Sequence, residues 1–396
     1  MKEPHRARRS SILGVGLMVV MLSSQFVFGQ QSGTDIVIGK RILLPSKVLK
    51  AEMAISVYLP ANYEASDAKY PVLYDLNGFA YFTYCAGTVE LLSRNVEMPE
   101  MIVVGLPNLQ NGYVPTAYEQ RGPEPAAADL SLKFFSEELI PFIDGKYRTS
   151  GFNLLCGHSV AGLFTMYTLF TRPDLFSGGI ASSPWFQANN QYWLKHIDQM
   201  FQAESLANKL LYMTVGKKEQ DLTISTYTEL EKWMKSKDLK GLTWKSEWLE
   251  NVDHSSMLGE SLYYGLLFVF DGWKIPLDVV MSGDVSAIQK HGEQIKAKFG
   301  GRLAYNIPEY LLNQVGYQLL NRKSFDRALA ILTLNTSLHP NSPNTYDSLA
   351  ECYLTMGDRE KAKQYYELAI QKNPGKTDYE KRLLQNARDK LKELSR

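Results

Sequence analysis

Cysteine is scarce: the chain of 396 residues carries three, at positions 85, 156 and 352. An odd number without paired or ligand-type spacing gives no disulfide framework and no metal site, so three packed thiols are expected. Charge of one sign is lacking too. Lys and Arg number 43 against 42 Asp and Glu, a formal charge of +1, which argues against the concentrated basic surface that nucleic acid needs. The apolar run near the N-terminus, Ile12 to Leu22, is only eleven positions long, and a comfortable membrane span needs about 20. Apolar material in general is ample, at 45% of residues, for a sizeable core in a chain long enough for two or three domains.

Lys2, Arg6, Arg8 and Arg9 precede that apolar run, and Val27-Phe28-Gly29 follows it as a small-residue boundary before Gln30. This is the pattern of a secretory signal peptide over residues 1–29, with an uncleaved anchor as the alternative. Export to the periplasm or beyond is therefore expected. A cysteine-based lipid anchor is excluded because no cysteine precedes Cys85.

The segment from Phe152 reads FNLLCGHSVAG and passes directly into the helical pattern AGLFTMYTLF. A serine between small residues on a sharp strand-to-helix turn is a nucleophile elbow, where Cβ atoms must be kept out of the turn. Gly157 and Ala161 hold the flanking positions, Ala161 departing from the usual glycine by one methyl group. On its own the motif is weak, since small residues flank many serines by chance.

Three further parts follow in the order that such an elbow requires. His254 sits in the polar turn NVDHSS after a tryptophan-rich alternating strand, where a base can reach over Ser159. His196, His291 and His339 fall in helical or basic stretches and read as packed or solvated, and His158 is expected to be turned away by the elbow. The strand from Lys209 to Gly216 is followed by Glu219 and Asp221, either of which could hold the histidine tautomer; Glu219 lies closer to the strand end. Asp253 is read as shaping the turn. For the oxyanion hole the expected donors are the amide of Val160 and that of Gly78 or Phe79, after the strand YPVLYDLNG.

At this point the segments VYLPANYEASDAKYPVLYDLNG, EMIVVGLPN, SEELIPFIDGKYRTSGFNLLCGHSVAGLF and VDHSSM resemble the Putative esterase family of α/β-hydrolases, which includes siderophore trilactone esterases and feruloyl-type and acetyl-type carbohydrate esterases. The resemblance runs from about Ile36 to Trp273 and implies a serine esterase. Asn77 stands where such proteins often have Asp. The loop LQNGYVPTAYEQR lacks the arginines that a highly anionic catecholate would favour.

The remaining organisation is an alternation of strand and helix patterns, as a doubly wound, mostly parallel sheet requires. Strands are expected at Asp35 to Leu44, at Ala51 to Tyr58, and near Pro71, Met101, Phe152, Ile180, Leu210 and Thr243. Ala128 to Ile140 reads as an amphipathic helix, and Pro141 should kink it or begin a new turn. Trp185, Phe186, Tyr192 and Trp193 read as core, with Trp185 as the alternative wall for a bulky acyl group or sugar ring. Loops around Tyr113 to Arg121, Tyr118 included, and Trp185 to Trp193 are expected to shape the substrate pocket.

The last third differs in kind. Gly316 and Ala350, Leu319 and Tyr353, Ala328 and Ala362, Leu332 and Tyr366, and Pro340 and Pro374 are each 34 positions apart, the tetratricopeptide period. Two such repeats and a polar capping helix from Asp378 are fewer than stand alone, so they should lean on the linker, the hydrolase or a second copy of the chain; a protein partner is the alternative.

The expected organisation is thus a signal peptide (1–29), an α/β-hydrolase (30–274), a helical linker (275–307) and a small all-α tetratricopeptide domain (308–396). The expected activity is ester hydrolysis on a small-molecule or glycan ester through an acyl-enzyme at Ser159, without cofactor or metal. Acyl transfer through the same intermediate, or an inert interaction protein working through its repeats, are the alternatives.

Overall fold

Among the described residues, short runs rich in Val, Ile, Leu and aromatic residues, separated by turn residues, form eight strands in a single sheet. The strands are β1 (Lys40–Ser46), β2 (Ala51–Tyr58), β3 (Tyr70–Asp75), β4 (Ile102–Gly105), β5 (Thr149–His158), β6 (Gly178–Ser182), β7 (Leu210–Gly216) and β8 (Thr243–Leu249). The computed structural model describes residues 35–61, 63–107, 127–200, 206–239 and 241–395. The proposed leader over 1–29 and the whole loop from Tyr113 to Arg121 lie outside these residues. The strand order is β1-β2-β4-β3-β5-β6-β7-β8; the first two junctions are antiparallel and the others parallel. The first strand lies somewhat later than Asp35 to Leu44, because its register is set by pairing with β2 from Lys40 to Ser46.

Burial follows position in the sheet. Every residue of β3, β4 and β6 is buried, whereas β1 and β8 alternate or stay partly open, as central and edge strands of a two-faced sheet must. The interspersed helices are α1 (Gly78–Arg94), α2 (Ala127–Phe134), α3 (Ile140–Lys146), α4 (Val160–Thr171), α5 (Ala188–Lys195), α6 (Ile197–Met200), α7 (Asp221–Ser236) and α8 (Met257–Val269). Phe134, Phe164 and Tyr227, from α2, α4 and α7, pack with Leu155 and Met213 on one face. Cys85 and Val89 of α1 and Leu262 of α8 pack with Leu154 and Cys156 on the other. Burial of each such large side chain is worth roughly 1.5–3 kcal/mol. The helix expected over Ala128 to Ile140 forms, and a π-helical turn at Phe135–Leu139 joins α2 to α3 just ahead of Pro141. The widened turn delivers the chain to a residue that has no N–H to donate.

The C-terminal helices are α9 (Leu277–Met281), α10 (Val285–Lys298), α11 (Glu309–Asn321), α12 (Phe325–Leu338), α13 (Pro343–Thr355), α14 (Arg359–Lys372) and α15 (Asp378–Leu394). Gly316 on α11 sits where a Cβ would lie 2.5 Å from Leu332 on α12, so these two helices approach at the small residue marked by the 34-residue period. The turns between α11 and α12 and between α13 and α14 repeat as well: Lys323 and Gly357 both adopt positive φ, 59° and 88°. Helix α10 serves two cores. Ile295 and Phe299, at and beyond its last turn, pack with Phe152, Phe270 and Trp273 of the hydrolase, while Ile288 packs with Leu312 and Val315 of α11. The segment Ile38–Arg396 is accordingly one compact unit.

Candidate active site

The carboxyl ends of the parallel strands carry the chemistry. β5 is central, and the strand connections diverge on either side of it, the place where open α/β sheets form a ligand crevice. At its end Ser159 has φ 60° and ψ −121°, a conformation that costs a non-glycine residue about 1–3 kcal/mol and persists only where neighbours enforce it. They do so through backbone bonds: the Ser159 amide donates to the Ser182 carbonyl at 2.9 Å, and the Ser159 carbonyl accepts from Trp185 at 3.1 Å. Gly157 is indispensable to the turn, since a Cβ there would lie 2.4 Å from the Ala161 carbonyl oxygen. Ala161 is tolerated because the second close approach falls one residue later. A Cβ on Gly162 would meet the Ser182 carbonyl oxygen at 2.8 Å.

Three chain segments bring side chains to this turn. The Ser159 hydroxyl lies 3.0 Å from His254 Nε2. His254 Nδ1 lies 3.0 Å and 3.1 Å from the two carboxylate oxygens of Glu219. The Glu219 side chain is 1% exposed and that of His254 40%, so the acid is sheltered while the imidazole faces the crevice. A carboxylate at Nδ1 fixes the proton there and leaves Nε2 to accept from the serine. The hydrogen bond to Glu219 raises the His254 pKa, and partial burial opposes it. Asp221 does not take part: it is exposed in the first turn of α7, where a negative charge suits the helix dipole. Gly216 lets the histidine loop settle on β7, because a Cβ there would stand 2.5 Å from the Val252 carbonyl oxygen. Asp253 shapes that loop by accepting from the amides of Ser255 and Ser256 at 3.0 and 3.1 Å.

His158 is not turned away from the site, contrary to the sequence expectation. Its ring lies against that of His254, with centroids 4.6 Å apart. Strand alternation is the reason. His158 shares the face of Leu154 and Cys156, which α1 and α8 cover, and His254 sits in the loop leading into α8. Burial, and then the neighbouring His254, push its pKa down to about 4, so a neutral ring supports the imidazole. The His158 amide donates to Asn77 Oδ1 at 2.8 Å, which ties the turn after β3 to the elbow.

Ser183 is a residue that motif reading missed. It is fully buried with φ 41°, donates to Glu219 Oε1 at 2.5 Å, and lies 3.2 Å from His254 Nδ1. Its only trace in the sequence is the polar pair Ser182-Ser183 closing the apolar β6.

The expected oxyanion donors divide. Val160 and Gly78 open α4 and α1, where amides have no intrahelical acceptor. The Phe79 amide is committed to the Leu106 carbonyl at 3.0 Å. Gly78 itself is required by a close approach to β4 rather than by room for an acyl group: a Cβ would lie 2.3 Å from Gly105 Cα. The aromatic quartet divides as well. Phe186 and Trp193 are buried against each other, whereas Trp185, beside Ser159, is 38% exposed and Tyr192, read as core, is 39% exposed. Tyr118 lies outside the described residues.

Residues 46–255 match the family described as Putative esterase. The chain belongs to this family. Within it, the chain is 34% identical over 117 residues to the siderophore enterobactin esterase of Emericella nidulans, covering 27% of this chain and 39% of that protein. It is 28% identical over 153 residues to the ferri-bacillibactin esterase BesA of Bacillus subtilis, covering 33% and 53%. The chain thus spans about half or less of the length of these two relatives. In fold it resembles the IroE-like serine hydrolase from Shewanella oneidensis, with a TM-score of 0.62 and 23% identity over 76% of this chain and 99% of that one. Membership of the esterase family sets the reaction class as ester hydrolysis.

Proposed function

We propose that the chain is a serine esterase that works through an acyl-enzyme. The observation that carries this reading is the continuous Ser159–His254–Glu219 contact, 3.0 Å at both links. His254 takes the Ser159 proton as the hydroxyl attacks the ester carbonyl. Glu219 stabilises the imidazolium, and the amides of Val160 and Gly78 face the developing oxyanion. His254 then protonates the leaving alcohol, and water attacking the acyl-serine reverses the proton path. The substrate class proposed is a small hydroxy-acid or phenolic ester of the siderophore type, supported by the names of the two relatives and by the exposed Trp185 beside Ser159. Export is proposed from the basic and apolar leader, and N-terminal sequencing of mature protein should then begin at Gln30.

The test is hydrolysis of p-nitrophenyl acetate by the wild type, Ser159→Ala and His254→Ala. Loss of at least about 10³-fold in kcat/KM is expected for each variant, as for groups that act as one unit. A wild type that turns over while Ser159→Ala remains within tenfold of it would remove Ser159 from the reaction.

A further inference from the structure

A cavity lies at the opposite end of the sheet from Ser159. It occupies about 800 Å³ between the amino ends of β5 to β8 and the turn that follows α10. Four cations line it, Lys209, Lys245, Lys298 and Arg302, together with one carboxylate, Asp271. Lys245 is engaged by Glu247 at 3.0 Å. Asp174, which also acts on Lys209, is itself held by the Arg172 guanidinium at 2.9 and 2.8 Å. Among the described residues, three cations therefore face a single lining carboxylate, an excess of two positive charges.

Neutral groups hold these cations in place. Lys209 Nζ donates to the Phe176 carbonyl at 2.9 Å, and Arg302 Nη1 donates to the hydroxyl of the next residue, Ser177, at 3.1 Å. Lys298 donates to the Asp271 backbone carbonyl. Adjacent anchors thus keep Lys209 and Arg302 side by side. Burial, with Arg302 facing it, pulls the Lys209 pKa below its ordinary value. Lys209 is partly buried, and Lys298 and Arg302 are exposed at the mouth; like charges held together there raise the energy of the empty cleft, and a dianion entering it relieves that repulsion.

We propose that this cavity binds a phosphate dianion, free or as a small phosphomonoester. Arg302 offers a planar fork of donors and the two lysines offer ammonium groups, the combination that recognises tetrahedral oxyanions. Phe152, Leu267 and Phe268 supply an apolar wall for an organic group on the phosphate. Lys209 belongs to the sheet side, and Lys298 and Arg302 to the segment leading into the helical tail. A bound phosphate therefore bridges the two.

The test is calorimetric titration of the full chain with inorganic phosphate, and separately with glycerol 3-phosphate, at constant ionic strength set with chloride. One saturable site per chain is expected. Arg302→Gln should weaken it at least about tenfold, the scale of one lost charge-assisted hydrogen bond. Lys298→Gln, exposed like Arg302, should weaken it in the same direction and serves as a second, independent variant. Wild-type p-nitrophenyl acetate turnover verifies the fold of either variant, and Ser159→Ala should bind phosphate unchanged. Tighter binding of glycerol 3-phosphate would assign the apolar wall to the ligand, and equal binding would assign the site to the oxyanion alone. Heat that does not saturate, binding matched by chloride, or affinity untouched in both cleft variants would overturn the proposal.

Discussion

Replacing Glu219 by Gln removes one charge and little volume. The structure says what that charge does. The carboxylate accepts from Ser183 at 2.5 Å on one oxygen and meets His254 Nδ1 at 3.0 and 3.1 Å. A glutamine amide that puts its oxygen at the Oε2 position, 3.0 Å from His254 Nδ1, aims its NH₂ at the Ser183 hydroxyl, which then has to accept instead of donate. In the other orientation the NH₂ faces Nδ1, and the proton moves to Nε2, the nitrogen that should receive the Ser159 proton. Even the better orientation leaves the imidazolium without its counter-charge. A fall in kcat of about 10²–10⁴-fold is expected, or roughly 3–5 kcal/mol in the barrier. The acid limb should move as well. Glu219 raises the His254 pKa, and the base must be neutral to work, so wild-type kcat/KM should decline as pH falls through a value raised from that of a free histidine. In Glu219→Gln that limb should shift to lower pH. The stability effect has the opposite sense: the raised pKa stabilises the fold at low pH, and this contribution is lost as pH rises through the folded pKa. The assay is a pH profile of kcat/KM on p-nitrophenyl acetate for wild type, Glu219→Gln and Asp221→Asn. If the acid limb stays in place and the rate remains within tenfold, Glu219 does not face the working imidazole. Asp221→Asn should stay within about twofold throughout.

Ser183→Ala removes the donor that fixes one Glu219 oxygen, and kcat should fall about tenfold with KM little changed; a change confined to KM would contradict its orienting role. Trp185→Ala should raise KM for bulky aryl esters more than for acetate, and equal effects on both would discard the wall. Truncation after Pro308 uncovers Ile275, Val280, Ile288 and Ile307, each at most 3% exposed. Up to roughly 6–12 kcal/mol of apolar burial is at stake, so thermal melting should show a shortened chain of much lower Tm, and an unchanged Tm would make the tail dispensable to the fold.

The strands were legible because each is a short apolar run closed by turn residues, and the parallel core needs that pattern whatever the substrate. Ser159, His254 and the pair Glu219 and Asp221 could be singled out because a serine, an acid and a histidine follow one another at strand ends in that order; which acid meets His254 could not be read. What stayed hidden depended on facing directions or on backbone pairing. Strand parity puts His158 under His254, yet the elbow distracts from it. Ser183 meets Glu219 only when β6 and β7 pair and φ turns positive, and a serine after a strand carries no mark of that. The Phe79 amide was equally unreadable, since its acceptor Leu106 lies in another segment. The 34-residue spacing announced the close approach of α11 and α12, and the helical stretch Ala287 to Phe299 of the linker was expected to touch the hydrolase; which of its side chains serve each core was not readable.

That double allegiance of α10 has a consequence for how such a chain can change over time. A tail hung on a bare linker can be exchanged, duplicated or lost like a cartridge. Here one helix is wall to the enzyme with Ile295 and Phe299 beside it, and floor to the tail through Ile288. A recombination break anywhere along it would leave one of the two parts with an open apolar side.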